Sequence, residues 1–328
     1  MKDKIRDTLY VIGNGFDLHH RLDTWYSSFG LFLKNNDSDI YDYFIRYFGF
    51  AELDEEDEES LKDPLWSQFE ASLASLDIEE VLSEYSEFAA NPASDDHSEG
   101  DWDTIAVYVG QIRDDLTVNM LDLFKQFILD VKYPTGDNLN LLSIDKNALF
   151  FNFNYTKSLE KYYQISQSQI LYIHNKAESE DKLILGHGMN PKEFDRKEII
   201  PPNNLNDEEL YEWREAQSDA FDFSLERGRD ELIQYFTNSF KATSILIEKN
   251  ESFFNSLNNI NKVYILGHSL ADVDAAYFKK IIRSINNNNK TKWFVSYHNS
   301  NEIIEKRNKL LSYGLLENQI QILKMNEI

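Results

Sequence analysis

The sequence predicts an α/β protein built on a parallel sheet, and three observations predict it. A short apolar run, Leu9-Tyr10-Val11-Ile12, closes on the turn Gly13-Asn14-Gly15. Strand-like and helix-like segments alternate through the last third of the chain. Between the first strand and the second lies a long stretch of helical spacing, Thr24 to Lys132. Strands that alternate with helices pair in parallel and carry helices on both faces.

The elements follow in order. Leu9 to Ile12 is apolar without alternation, as expected of a strand buried on both faces. From Thr24 to Lys132 the apolar positions, rich in Phe and Tyr, recur at helical intervals. Within that stretch Trp66, Phe69, Leu73 and Leu76 predict one amphipathic helix. Glu70 falls on its apolar side, where an unpaired carboxylate is costly, so it either meets a cation or belongs to a site. The acidic run Glu52 to Glu59 and the polar stretch Asn91 to Asp103 read as solvated loops. Strands return at Ala148 to Phe153, Ile170 to Ile173 and Leu183 to Leu185. A second helical block, Asp207 to Leu257, follows Pro201-Pro202. The chain then reads strand Val263 to Leu266, helix Ala275 to Ile285, strand Trp293 to Tyr297, helix Glu302 to Ser312 and strand Ile320 to Leu323. The expected architecture is a Rossmann-like three-layer parallel sheet with a large, mostly helical insertion. Residues 1–23 and 134–328 form the α/β core, with a helical block at about 207–257, and residues 24–133 form the insertion or cap.

Composition excludes several classes. The 328 residues carry a formal net charge of -24, which disfavours general binding to nucleic-acid backbones. No apolar run approaches the roughly 20 residues a membrane span needs, and the mixed charges of Met1 to Asp7 do not form a signal peptide. The absence of cysteine fits a reducing, cytoplasmic setting and removes thiolate chemistry and cysteine zinc sites.

In an open parallel sheet, ligands bind beyond the carboxyl ends of the strands. There the sequence places Gly13-Asn14-Gly15-Phe16-Asp17-Leu18-His19-His20, Asn154-Tyr155-Thr156, His174-Asn175, Gly186-His187-Gly188, Gly267-His268-Ser269 and His298-Asn299. Of the 7 histidines only His97 lies elsewhere. Histidine is the side chain best suited to proton transfer near neutral pH, so this clustering points to a site. Gly13-Asn14-Gly15 suits a loop whose N–H groups face a phosphate, although the third glycine of a dinucleotide fingerprint is missing. Asp17 reads as a ribose ligand, an acid/base or a helix cap. Gly267-His268-Ser269-Leu270-Ala271 partly matches a nucleophile elbow, with His298 as base and Asp272 or Asp274 as acid. Ala271 replaces its last glycine, and no oxyanion-hole glycine run is visible. A metal site from Asp17, His19, Asp272 and Asp274 lacks any ligand spacing, and no metal is expected.

Six segments in order resemble the AbiH family, named for bacteriophage abortive infection. They are Leu9 to Asp17 (LYVIGNGFD), Trp66 to Glu70 (WSQFE), Phe151 to Thr156 (FNFNYT), Tyr172 to Asn175 (YIHN), Leu185 to Asn190 (LGHGMN) and Tyr264 to Phe278 (YILGHSLADVDAAYF). Their order also resembles the sirtuin-like NAD-consuming fold, with Thr156 where that fold often has Asp and Asn175 where it has Gly. That resemblance implies a nucleotide held by Gly13, Asn14, Gly15, Phe16 and Asp17 and enclosed by Gly267, His268, Ser269 and Asp274. It implies that Asn154 orients a water or the nicotinamide ribose and that His174 acts as base on a ribose hydroxyl. NAD would be the substrate, cleaved at the nicotinamide–ribose bond. The activator would be phage-derived or a partner protein, with room for a homo-oligomer. A non-catalytic nucleotide-sensing module and a hydrolase using Ser269 are the alternatives, while the acidity weighs against an RNase.

Overall fold

The computed structural model describes residues 6–91, 98–136, 139–197, 199–219, 221–286 and 288–328. The sequence-level placement of His97 and of the middle of the Asn91 to Asp103 loop lies outside these.

Six strands form one sheet: β1 (Thr8–Ile12), β2 (Leu149–Asn152), β3 (Ile170–Tyr172), β4 (Lys262–Leu266), β5 (Lys292–Tyr297) and β6 (Ile320–Lys324). Every pairing is parallel, and the order is β3-β2-β1-β4-β5-β6. The chain therefore winds outward from β1 in one direction and then, from β4, in the other. Neighbouring loops at such a reversal diverge to opposite faces and leave a crevice between them. Here the reversal falls between β1 and β4, where Ile12 is paired with Leu266 on one side and Asn152 on the other.

The helices of the chain are α1 (Asn14–His19), α2 (Tyr26–Asn36), α3 (Ser38–Phe48), α4 (Pro64–Ser67), α5 (Phe69–Ser72), α6 (Ile78–Tyr85), α7 (Thr104–Asp114) and α8 (Met120–Asp130). After β2 come α9 (Ser158–Tyr163), α10 (Asp207–Asp219), α11 (Phe223–Asn238), α12 (Thr243–Lys249), α13 (Glu251–Asn255), α14 (Ala275–Ser284) and α15 (Glu302–Ser312). Strand alternation divides the core into layers. Leu9, Val11, Leu149, Phe151, Val263, Ile265, Trp293 and Val295 point to the face covered by α12 to α15. Tyr10, Ile12, Phe150 and Leu266 point to the other face, against Phe16 of α1 and Leu159 and Tyr163 of α9. A third cluster fills the insertion, with Phe29, Phe44, Trp66, Phe69, Phe124 and Phe127 among its rings. The second helical block divides between these cores: Leu232, Tyr235 and Phe236 of α11 join the insertion, while Phe254 and Leu257 join the sheet.

Two sequence expectations fail. Leu183 to Leu185 is not a strand; Leu183 and Leu185 are buried in the insertion's core, and Ile184 N–H donates to the His174 carbonyl at 3.1 Å. Three apolar residues carry no period, so burial alone made them look like a strand. Trp66 to Leu76 is not one helix either. Gln68, at φ -110 and ψ 34, separates α4 from α5, although Trp66, Phe69, Leu73 and Leu76 are all buried.

Candidate functional site at the β1–β4 crevice

The turn after β1 is built for close backbone packing. Gly13 N–H donates to the Leu266 carbonyl at 2.9 Å, and Gly15 N–H to the Gly267 carbonyl at 2.8 Å. Gly267 has φ +68, and a Cβ there would lie 2.1 Å from the Phe16 nitrogen. A Cβ on Gly15 would lie 2.8 Å from the Gly267 Cα, so these two turns touch glycine to glycine. The Phe16 N–H is also engaged, by the Gly13 carbonyl at 2.9 Å. Two of the N–H groups that the sequence suggested for a phosphate, those of Gly13 and Gly15, are thus bonded inside the protein, as is that of Phe16 beside them. The glycines instead bring the β1 and β4 loops together. Asn14 clasps Thr24, donating to its carbonyl at 2.8 Å and accepting from its hydroxyl at 2.6 Å.

Asp17 is 1% exposed. Its Oδ2 accepts from the Thr156 hydroxyl at 2.6 Å, while Oδ1 has no partner. Burial raises its pKa to about 6, against the opposing hydrogen-bonding influence of Ser158, Thr156 and Asn154. Asn154, on the loop after β2, donates from Nδ2 to the Gly13 carbonyl at 3.1 Å, and its own N–H is held by Asn152 Oδ1 at 3.0 Å. A buried carboxyl, a hydroxyl and an amide therefore converge where β1 and β2 end.

His174 leaves the neighbouring strand. Asn152 pairs with Tyr172, so Asn154 and His174 each lie two residues beyond a paired position on adjacent strands. His174 is buried, with Nε2 unpartnered. Burial, then the Lys241 ammonium, hold its pKa well below the ordinary histidine value, so the ring is neutral. Neutral imidazole with a free nitrogen can accept a proton, although the burial that keeps it neutral also weakens it as a base.

The other side of the crevice is ionic. His268 Nδ1 accepts from the Leu270 N–H at 2.8 Å, which fixes the proton on Nε2, 3.4 Å from Asp274 Oδ2. Asp274 Oδ1 lies 3.4 Å from Lys241 Nζ, which also pairs with Glu70. Glu70 accepts from the Tyr26 hydroxyl at 2.8 Å. Burial opposes the charge on Lys241, yet Asp274 and Glu70 raise its pKa. Burial likewise opposes the charge on Asp274, but Lys241 and His268 together hold its pKa below the usual carboxylate range. Glu70 and Tyr26 belong to the insertion, so this network ties insertion to sheet. The tension read at Glu70 resolves as a pairing, but its partner was invisible. Lys241 follows a long helix in no motif and looks like a surface charge in the sequence.

The histidines do not all converge. His174 and His268 both approach Asp274, with the Phe153 ring 5.5 Å and 4.3 Å from theirs between centroids. His20 is structural, bonded to the Phe16 carbonyl at 2.7 Å and the Tyr163 hydroxyl at 2.6 Å, and burial lowers its pKa to about 4. His19 reaches the Asn140 carbonyl at 2.9 Å. His187 is packed against Phe194 and Phe236, and His298 is exposed. Ser269 is exposed and bonds to no histidine, and Asp272 is solvent-facing. The elbow therefore has no assembled dyad: the nearest histidine, His268, gives its acceptor nitrogen to Leu270. Among the described residues no group of three or more His, Cys, Asp or Glu could hold a metal ion, and no helix is long and apolar enough to cross a membrane.

A family model described as bacteriophage abortive infection AbiH matches residues 9–297, and the chain belongs to that family. No curated protein and no solved structure matches.

Proposed function

From AbiH membership, which implies a role in phage abortive infection, we propose that the chain is an antiphage effector that hydrolyses NAD at the nicotinamide–ribose bond. The observation that carries the reading is the placement of Asn154 and a neutral His174 on adjacent strand ends beside the switch-point crevice. Breaking an N-glycosidic bond passes through an oxocarbenium-like state, which needs a positioned nucleophile and a proton acceptor more than elaborate machinery. Asn154 orients the water or the ribose, and His174 Nε2 accepts a proton from a ribose hydroxyl. Asp17, Gly13 and Gly15 shape the floor, and Gly267, His268 and Asp274 the opposite wall, with Ser269 exposed beside it.

The closed state of the site fits a toxin held silent. Asp17, Asn154, His174, Lys241, His268 and Asp274 are all buried, and the Glu70–Lys241 pair holds the insertion against this cluster. The activator, phage-derived or a partner protein, would act on that contact. The test is nicotinamide release from NAD by purified protein, with and without lysate of phage-infected cells. Release is expected in at least one condition and is lost in Asn154→Ala and in His174→Ala. Release that survives both substitutions removes their assigned roles. The alternative is a nucleotide-sensing module without turnover, whose phosphates would find the amides of Gly13, Gly15 and Phe16 already engaged. It predicts saturable nucleotide binding and no release under any condition.

A further inference from the structure

Between Phe194 and α11 the chain carries a helix that the cores of the protein do not use. α10 has no buried residue among those described, and Leu210, Tyr211 and Trp213 join none of the three hydrophobic clusters. Its start is closed locally. Asn206 Oδ1 accepts the N–H groups of Glu208 and Glu209, each at 3.0 Å, and Glu209 Oε2 accepts the Asn206 N–H at 2.9 Å. This reciprocal cap begins the helix. A helix of this length is nonetheless marginal in water, because most helical stability in proteins comes from a packed face.

The two sides of α10 differ. Leu210, Trp213 and Gln217 are half-buried and mark the side turned to the protein. Glu208, Tyr211, Glu212 and Glu215 lie at i, i+3, i+4 and i+7 and form the opposite side. All four are exposed, Tyr211 at 66%. Glutamates three and four residues apart on a helix repel one another, and among the described residues no cation pairs with these three. Ile199 and Ile200 ahead of α10 and Phe221 behind it are exposed as well. Exposed apolar side chains rimmed by charge mark an interaction surface, and tyrosine is among the residues that most often anchor one.

The charge selects the occupant. Carboxylates around the ring repel a nucleic acid or an anionic membrane. A second copy of the chain, at a net charge of -24, brings more of the same sign. A protein with a basic rim around an apolar groove relieves the repulsion and covers the ring in one contact. We propose that α10 is a docking helix for such a basic partner protein, with Tyr211 as its anchor and Glu208, Glu212 and Glu215 as its charged flank. Docking there requires no opening of the crevice, and the inference stands apart from the NAD reading.

The experiment installs the photo-cross-linker p-benzoylphenylalanine in the full chain in place of Tyr211. A control carries it in place of Ile304 of α15, which is 71% exposed. Cells making each protein are irradiated with and without phage infection, and cross-linked peptides are identified by mass spectrometry. Position 211 is expected to capture one protein through a segment of net positive charge, and position 304 is expected not to capture it. That protein is then purified and titrated with the full chain. Tyr211→Ala is expected to weaken binding at least about tenfold. Glu208→Gln, Glu212→Gln and Glu215→Gln together are expected to slow association at least about threefold at low salt, with the difference gone at about 0.5 M salt. Thermal melts check that both variants fold, as their solvent-facing side chains lead one to expect. No capture at position 211, equal capture at 304, capture of a second copy, or capture through a neutral or acidic segment overturns the proposal. So does unchanged affinity in the first variant or unchanged association in the second.

Discussion

Replacing Lys241 by Met removes the cation that pairs with both Glu70 and Asp274 in a buried network and should destabilise the protein sharply. Lys241 Nζ is completely buried and stands 3.4 Å from Asp274 Oδ1. At an effective dielectric of about 20 that separation corresponds to an attraction of about 5 kcal/mol. Relief of the ammonium's desolvation offsets part of it, but two carboxylates then face each other without a counter-charge. A net loss of about 3–5 kcal/mol is expected. The sign with pH follows from Asp274. Its native pKa lies below the unfolded value, so its contribution is present at pH above about 4 and fades as pH falls through the native pKa. In Lys241→Met that depression is lost and one carboxylate can take up a proton, so the deficit should shrink between pH 8 and pH 5. Adding Glu70→Gln removes the repulsion and should recover about 1.5 kcal/mol or more. Urea unfolding, followed by fluorescence and circular dichroism at both pH values, measures Lys241→Met, Glu70→Gln and the double variant. A single-variant loss below about 1 kcal/mol, or losses that simply add in the double variant, would refute the reasoning.

Other consequences are as direct. Asp17 has a pKa raised from 3.8 to about 6, so ionising it at neutral pH costs the native state about 3 kcal/mol, a penalty absent below pH 4. Asp17→Asn should therefore raise the melting temperature at pH 7.5 and leave it nearly unchanged at pH 4, while impairing any activity; a stability gain independent of pH would contradict this. Gly267→Ala drives a Cβ to 2.1 Å from the Phe16 nitrogen, whereas Gly49→Ala, at φ +73, meets nothing within 4 Å. The first should cost about 3 kcal/mol or more and the second about 1 kcal/mol, by thermal melts of the two proteins. Equal costs would mean that the loop contact is looser than it looks. Ser269→Ala should leave melting temperature and NAD cleavage within error of the parent, since Ser269 is exposed and unpaired with any histidine; loss of activity would revive the elbow.

Much of the fold was legible because β1, β4 and β5 carry apolar runs separated by helical periods, and burial on both faces leaves that signature directly in the residues. The run at Leu183 misled because a loop buried in the insertion is as apolar as a strand. The strand-end positions of Asp17, Asn154, His174 and His268 were also legible, since a parallel sheet brings all its carboxyl ends to one side. What residues do at those ends was less so: His20 and His187 are as polar in sequence as His174, yet they bond to backbone carbonyls.

The sequence by itself determined the α/β class, the long helical insertion and the collection of polar residues at strand ends, because periodicity and strand termini are local properties of the chain. Only the tertiary structure decided which of those residues meet. Lys241 lies 171 residues from Glu70 and 33 from Asp274 in sequence, and no local pattern encodes their contact. The same holds for the glycines after β1, whose spacing resembled a phosphate loop. Their amides are bonded to the end of β4 because a switch-point sheet packs those two turns against each other.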